Sequence, residues 1–197
     1  GQRVLPLAWM LETVVRARRA AEPEAPMRFA NVSVVRPATV GAEGAPAFRV
    51  DQDPDASLAI SEASGTRLFR ALPTGEPAVA TPFEGVPSTW DRTPYETWKS
   101  VLFHGPSMRM LIDVGRVGHE HLCAHAADAR TLGWPVERLH SDVALVDAAL
   151  QAALIWAKEV AGFAGLPMGI GHASLPSASD RTRVTLRIAS QHVSGLR

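Results

Sequence analysis

The sequence predicts an α+β protein built from two antiparallel sheets, each wrapped around one central helix. Three observations carry this expectation. Two segments, residues 5–15 and 142–157, are apolar on nearly every face at helical length; short β-type runs recur between glycine and proline turns; and a proline-rich stretch near the middle separates halves of similar makeup. A helix that is apolar all round has to be enclosed, and a curved sheet folded about it does so with few elements.

The first apolar segment begins "LPLAWMLE", with Pro6 where a first-turn proline gives up only an amide that would be unpaired anyway. Arg16, Arg18 and Arg19 follow at the far end, where cations complement the helix dipole. Four β-type runs come next: "RFANVSVVR" (28–36), "AFRVD" (47–51), "SLAISEA" (57–63) and "RLFRAL" (67–72). Pro37, Gly41, Gly44, Pro54 and Gly65 lie between them, the punctuation of an antiparallel sheet.

Residues 73–94, "PTGEPAVATPFEGVPSTWDRTP", carry five prolines and no sustained period, and read as a linker. The expected division is therefore 1–72, a linker over 73–94, and 95–197. Past the linker come "YETWKSVLFHGPSMRMLIDVGRV", a strand in "HEHLCAHAAD", the apolar helix "DVALVDAALQAALIWA", a loop "GLPMGIGHASLP" and an alternating strand "RTRVTLRIAS". One helix and several antiparallel strands in each half is the pattern of a double hot dog. Both ends read as cut, because the chain enters its first helix without a capping sequence and stops just after a strand. Further elements are expected on either side.

Twenty basic residues balance twenty acidic ones, so no overall field draws the chain to nucleic acid or to an anionic membrane. The longest apolar run is interrupted by Asp147 and Gln151 before it reaches the ~20 residues a spanning helix needs. A single cysteine, Cys123, excludes an internal disulfide and fits a reducing compartment, so a cytoplasmic location is expected.

Asp147 and Gln151 stand at i and i+4 and so share one face of that helix. Burial without a partner raises a carboxyl's pKa until it stays protonated, which makes it a proton donor. The alternative at this point is structural: an acid close enough to the helix start to accept first-turn amides. Spacing alone leaves both open.

Three motifs add to this reading. "LVDAALQAAL" with its D-x-x-x-Q, preceded by "LFHGPSMRML" (102–111) and followed by "GLPMGIG" (165–171), resembles in order and spacing the second hot dog of dehydratase domains from polyketide synthases and polyunsaturated fatty acid synthases. In that family the aspartate is half of a catalytic pair whose other half is the histidine of H-x-x-x-G-x-x-x-x-P. Here "GQRVLP" matches G-x-x-x-x-P through Gly1 and Pro6, which puts the histidine four residues upstream of Gly1. "VLPLAWMLE" leans toward the polyunsaturated fatty acid or enediyne type.

The resemblance implies elimination of water from a 3-hydroxyacyl chain held on the phosphopantetheine arm of acyl carrier protein. The histidine takes the Cα proton and Asp147 protonates the departing hydroxyl, with Gln151 holding the acid or the substrate hydroxyl. It implies no metal or organic cofactor, and as partners acyl carrier protein and neighbouring synthase domains, with pairing of two copies left open. Gly1, Leu5 and Pro6 would border the pocket, where amides at the helix start stabilise a developing enolate. Phe103, His104, Gly105, Pro106, Leu166 and Pro167 would edge the substrate channel. His104 stands where relatives often carry tyrosine and is expected to be a wall rather than a base. Two rivals remain: a pseudo-dehydratase kept for docking or scaffolding, and a hot-dog thioesterase.

Other signals are weaker. His119, His121, Cys123 and His125 alternate along one strand face, but the outer pair would lie roughly 20 Å apart, too far for one tetrahedral ion with bonds near 2 Å. No metal is expected. The arginines after the first helix could meet an acidic carrier surface, although dipole complementation already explains them. Trp9, Trp90, Trp98, Trp134 and Trp156 are scattered and read as core or domain contacts.

Overall fold

A computed structural model describes residues 3–40, 47–77, 89–118 and 121–175, together with the backbone of 183–189. The chain divides into two compact units. The first takes in Gly1–Ala80, Arg138–Val143 and Met168–Ala178; the second takes in Thr81–Glu137, Ala144–Pro167 and Ser179–Arg197.

In the first unit, α1 (Leu7–Ala21) follows Pro6, whose carbonyl accepts the amides of Trp9 and Met10 at 3.1 and 3.2 Å. Leu7, Ala8, Met10, Leu11, Val14 and Val15 are buried, whereas Arg18 and Arg19 occupy the last turn, as the dipole argument expects. The helix lies against β4 (Phe48–Gln52), β5 (Leu58–Glu62) and β6 (Arg67–Pro73). These belong to a five-stranded antiparallel sheet completed by β2 (Arg28–Val34) and β9 (Gly169–Ser174), in the order β4-β5-β6-β2-β9. A short pair, β1 (Arg3–Val4) with β3 (Thr39–Val40), stands apart. The register of β2 on β6 shifts between Ala30 and Ser33, where Asn31 takes a φ of 50°. Such a bulge bends a strand and increases its twist, which is what curving a sheet about a helix requires. Phe29, Val32, Ile60, Leu68 and Phe69 supply the sheet's share of the core.

β9 corrects the expected loop over "GLPMGIGHASLP". Its residues 169–174 pair antiparallel with β2, with Arg28 opposite Ser174 and Ser33 opposite Gly169. A Cβ on Gly169 would sit 2.8 Å from the Val32 carbonyl oxygen, closer than side chains come to backbone. The glycine that suggests a loop in sequence is what admits the strand to this edge. Gly169→Ala is accordingly expected to destabilise by about 1–3 kcal/mol, read as a lower denaturant midpoint with faster amide exchange along β9. Residues 138–143 also return to the first unit, so the stretch 95–197 is not one continuous body.

The second unit holds a three-stranded antiparallel sheet, β10-β8-β7, from β7 (Leu111–Val117), β8 (His121–Ala127) and β10 (Arg183–Ala189). It also carries α2 (Pro94–Thr97) and α3, which runs Val143–Val160 and enters this unit at Ala144. Ala144, Ala148, Ala152, Leu154 and Ile155 of α3 are buried. The Trp156 indole N–H donates to the Gly118 carbonyl at 3.1 Å, tying the helix to the end of β7. Among the described residues, no helix is long and apolar enough to cross a membrane.

Candidate active site

Asp147 lies on the second turn of α3 with 3% of its surface exposed, and Gln151, one turn on, has 1%. The Gln151 Nε2 donates to Asp147 Oδ2 at 2.6 Å and to the Met108 carbonyl at 2.8 Å. Its Oε1 accepts from the Tyr95 hydroxyl at 2.5 Å, and that hydroxyl in turn accepts the Leu111 amide at 2.9 Å. Asp147 accepts no first-turn amide, and Gln151 is its one side-chain partner among the described residues. The structural alternative of a helix-capping aspartate is thereby set aside.

Burial pushes the Asp147 carboxyl up to about 6 from 3.8, and the Gln151 hydrogen bond pulls only partly against that. Burial also raises the Tyr95 phenol well above its ordinary value, with the Leu111 amide opposing and the nearby Asp147 charge adding. Tyr95 therefore stays a neutral hydroxyl at any physiological pH.

The residues before α2 fix where Tyr95 goes. Asp91 bridges to Val114 of β7 through paired backbone bonds of 2.7 and 2.9 Å. Its carboxylate accepts the Thr93 amide, the Thr93 hydroxyl and the Thr97 hydroxyl, which closes the turn into α2, and Pro94 sets the first helical φ. Tyr95 thus stands beside β7, with the Arg109 guanidinium carbon 5.1 Å from its ring centroid.

The other predicted residues fall as follows. Phe103 is 68% exposed and stacks on the half-buried His104, with centroids 4.9 Å apart. Burial lowers the His104 imidazole, and its Nδ1 is enclosed with no hydrogen-bond partner among the described residues. Gly105 and Pro106 lead into a 3-10 turn, Pro106–Met108, whose last carbonyl is the one Gln151 holds. Leu166 is exposed and Pro167 half-buried on the segment after α3. Leu5 and Pro6 belong to the first unit, where the Leu5 amide donates to Ala38 at 2.8 Å, and Gly1 lies outside the described residues. The structure thus joins Asp147, Gln151 and the Pro106–Met108 turn through hydrogen bonds. A shallow groove of about 500 Å³ on the first unit, lined by Asn31, Val32, Ser33, Arg70, Gly169, Ile170 and Gly171, contains none of the predicted residues.

With this geometry in place, comparison with solved structures gives close matches of fold. The N-terminal dehydratase from the difficidin assembly line superposes with a TM-score of 0.69 at 13% identity, over 95% of this chain and 72% of that one. The dehydratase domain from the CurF module of curacin polyketide synthase gives 0.72 at 15% identity, over 98% and 77%. The chain has the fold of polyketide synthase dehydratase domains. A bifunctional dehydratase-cyclase domain from ambruticin biosynthesis matches too, with a TM-score of 0.65 at 22% identity over 99% and 73%. The sequence matches no protein-family model and no curated protein.

Against that dehydratase-type frame, three polar features escape a reading of the sequence. Tyr95 is one. Glu12, in the middle of α1, is 2% exposed and accepts the His140 amide at 2.8 Å, the Ser141 amide at 3.0 Å and the Ser141 hydroxyl at 2.6 Å. A lone acid on the buried face of an amphipathic helix is the signal that could have flagged it. The third is the setting of His125, whose Nδ1 lies 2.6 Å from the buried Asp113 carboxylate while its ring stacks on Trp90 at 4.1 Å. Of the alternating strand positions, His119 lies outside the described residues, and no group of three or more His, Cys, Asp or Glu among the described ones could hold a metal ion.

Proposed function

We propose that this chain is a dehydratase domain of a multidomain synthase, in the arrangement of a double hot dog, which removes water from 3-hydroxyacyl thioesters on acyl carrier protein. The observation that carries the reading is Asp147: an acid buried on a dehydratase-type fold, held by one glutamine amide, with its carboxyl at about 6. The base is the histidine that the first motif places four residues before Gly1. It removes a Cα proton made acidic by the thioester carbonyl. The electron pair forms the Cα–Cβ double bond, the Cβ–O bond breaks, and Asp147 gives its proton to the leaving hydroxyl, which departs as water. Base and acid then exchange a proton through solvent to reset. This chemistry calls on no metal. Phe103 and Leu166, apolar and exposed, suit the wall of an acyl channel, and neighbouring synthase domains would deliver the loaded carrier.

The test is mass spectrometry of a 3-hydroxyacyl carrier protein incubated with the parent protein. Loss of one water from the acyl chain supports the reading; an unchanged acyl mass points to a scaffold, and release of the free acid points to a thioesterase. For an acid that must be protonated to act, kcat is expected to fall about tenfold per pH unit once pH rises beyond the Asp147 midpoint. A rate that holds level from pH 6 to pH 8 in an initial-rate pH series, with chemistry limiting, would remove Asp147 from the acid's role.

A further inference from the structure

We propose that Tyr95 is a positioning residue that, together with the Met108 carbonyl, fixes and polarises the Gln151 amide and thereby reserves Oδ1 of Asp147 for the transferable proton. The argument runs along a chain of donors. The Leu111 amide can only donate, so the Tyr95 oxygen it reaches must accept. The Tyr95 hydroxyl hydrogen is left to donate, and the oxygen it meets is Gln151 Oε1. With Oε1 occupied as an acceptor, Gln151 must turn its NH2 toward Asp147 and the Met108 carbonyl. A carboxyl oxygen that accepts an N–H at 2.6 Å is a poor seat for its own proton, so the proton of neutral Asp147 goes to Oδ1, which no described residue holds. Without Tyr95 the Met108 carbonyl, which can only accept, still keeps the NH2 on this side, but Oε1 loses its donor and the less polarised amide gives a weaker N–H to Asp147. Oδ2 is then less firmly committed as an acceptor, and the proton is no longer confined to Oδ1. The ionisable groups at this network among the described residues are Tyr95 from α2 and Arg109 from the segment leading to β7, besides Asp147 itself.

The mechanistic part of this inference rests on the dehydratase reading; the hydrogen-bond polarity does not. The test therefore uses two readouts. The first is the titration of the Asp147 carboxyl carbon by NMR in the full chain, assigned by its disappearance in Asp147→Asn. Tyr95→Phe removes the hydroxyl and keeps the ring. It is expected to move the midpoint up by about half to one pH unit, because a less polarised Gln151 amide stabilises the ionised carboxylate less. In a Gln151→Ala background the same change is expected to add nothing, since the two residues act as one unit. Tyr95 is the single tyrosine of the chain, so global incorporation of fluorotyrosine alters this hydroxyl alone. A more acidic phenol donates more strongly to Gln151 and is expected to move the midpoint down. Opposite shifts from the two replacements support the proposal, and this holds even if Tyr95→Phe folds poorly, because fluorotyrosine keeps the shape. A midpoint that ignores both, or an equal shift without Gln151, overturns it.

The second readout is turnover, where Tyr95→Phe is expected to lower kcat about tenfold with KM unchanged. A protein that passes the titration but never dehydrates its substrate would retain the network and lose the proposed activity.

Discussion

Asp147→Asn is expected to abolish water loss from a 3-hydroxyacyl thioester and, at pH 7.5, to make the protein more stable than the wild type. Asparagine has no transferable proton, so turnover should fall by about 10³-fold, within the 10²–10⁴ that a single general acid or base contributes. The amide oxygen can still accept from Gln151 Nε2, so the network keeps its shape. The stability gain follows from linkage. The folded-state carboxyl titrates at about 6 against 3.8 when solvated, so between those values the folded protein holds the proton more tightly than the unfolded chain. This group's contribution is therefore greatest below about pH 4, declines as pH rises toward 6, and is gone above it. At pH 7.5 the wild type carries an ionised, buried carboxylate at a cost of up to about 3 kcal/mol, which asparagine does not incur. Thermal melts from pH 4 to pH 8 should show a falling limb in the wild type and none in the variant. A variant that turns over within tenfold of wild type, or that melts lower at pH 7.5, contradicts the assignment.

Glu12→Ala carries the largest expected loss of stability. One buried carboxylate accepts the amide of the exposed His140 and both the amide and the hydroxyl of the buried Ser141. Truncation leaves two main-chain donors without acceptors and opens space between α1 and the returning segment. Each stranded donor costs about 1–3 kcal/mol, so the two together cost about 2–6 kcal/mol, a large share of the ~5–15 kcal/mol that holds a domain together. Melting should drop by roughly 10 °C, at ~2–4 °C per kcal/mol for a chain of this size, and the His140 and Ser141 amides should lose their protection from exchange. Glu12→Gln, which keeps one acceptor oxygen, should fall between the two. Unchanged exchange at His140 and Ser141 in Glu12→Ala would show that other groups anchor the segment.

Much of the candidate site is legible in the sequence because it is local. An acid and an amide four residues apart in a helix that is otherwise apolar must share a face, and the helix has nowhere to go but inside, so the buried pairing of Asp147 with Gln151 can be read in advance. The early strands are legible for a similar reason, since "SLAISEA" and "RLFRAL" sit between turn residues and appear as β5 and β6. What escapes is whatever depends on contacts distant in sequence. Tyr95 meets Gln151 only because Asp91 pins α2 to β7, and no periodicity announces that. Glu12 reads as one more polar residue on α1 until the 138–143 segment arrives to use it. β9 fails for a subtler reason: glycines that signal a loop by propensity here relieve a close approach to Val32, so tertiary fit overrides local preference.

That strand has a consequence for how the protein is made. β2 leaves the ribosome early, but the partner for one of its edges is translated only after the whole second apolar helix, roughly seven to thirty seconds later at ordinary elongation rates. Throughout that interval the nascent chain displays an open row of main-chain donors and acceptors, a template for pairing with a neighbouring polypeptide. Premature termination anywhere in between yields a product that never closes this edge, and such fragments should be aggregation-prone clients of chaperones rather than soluble half-proteins.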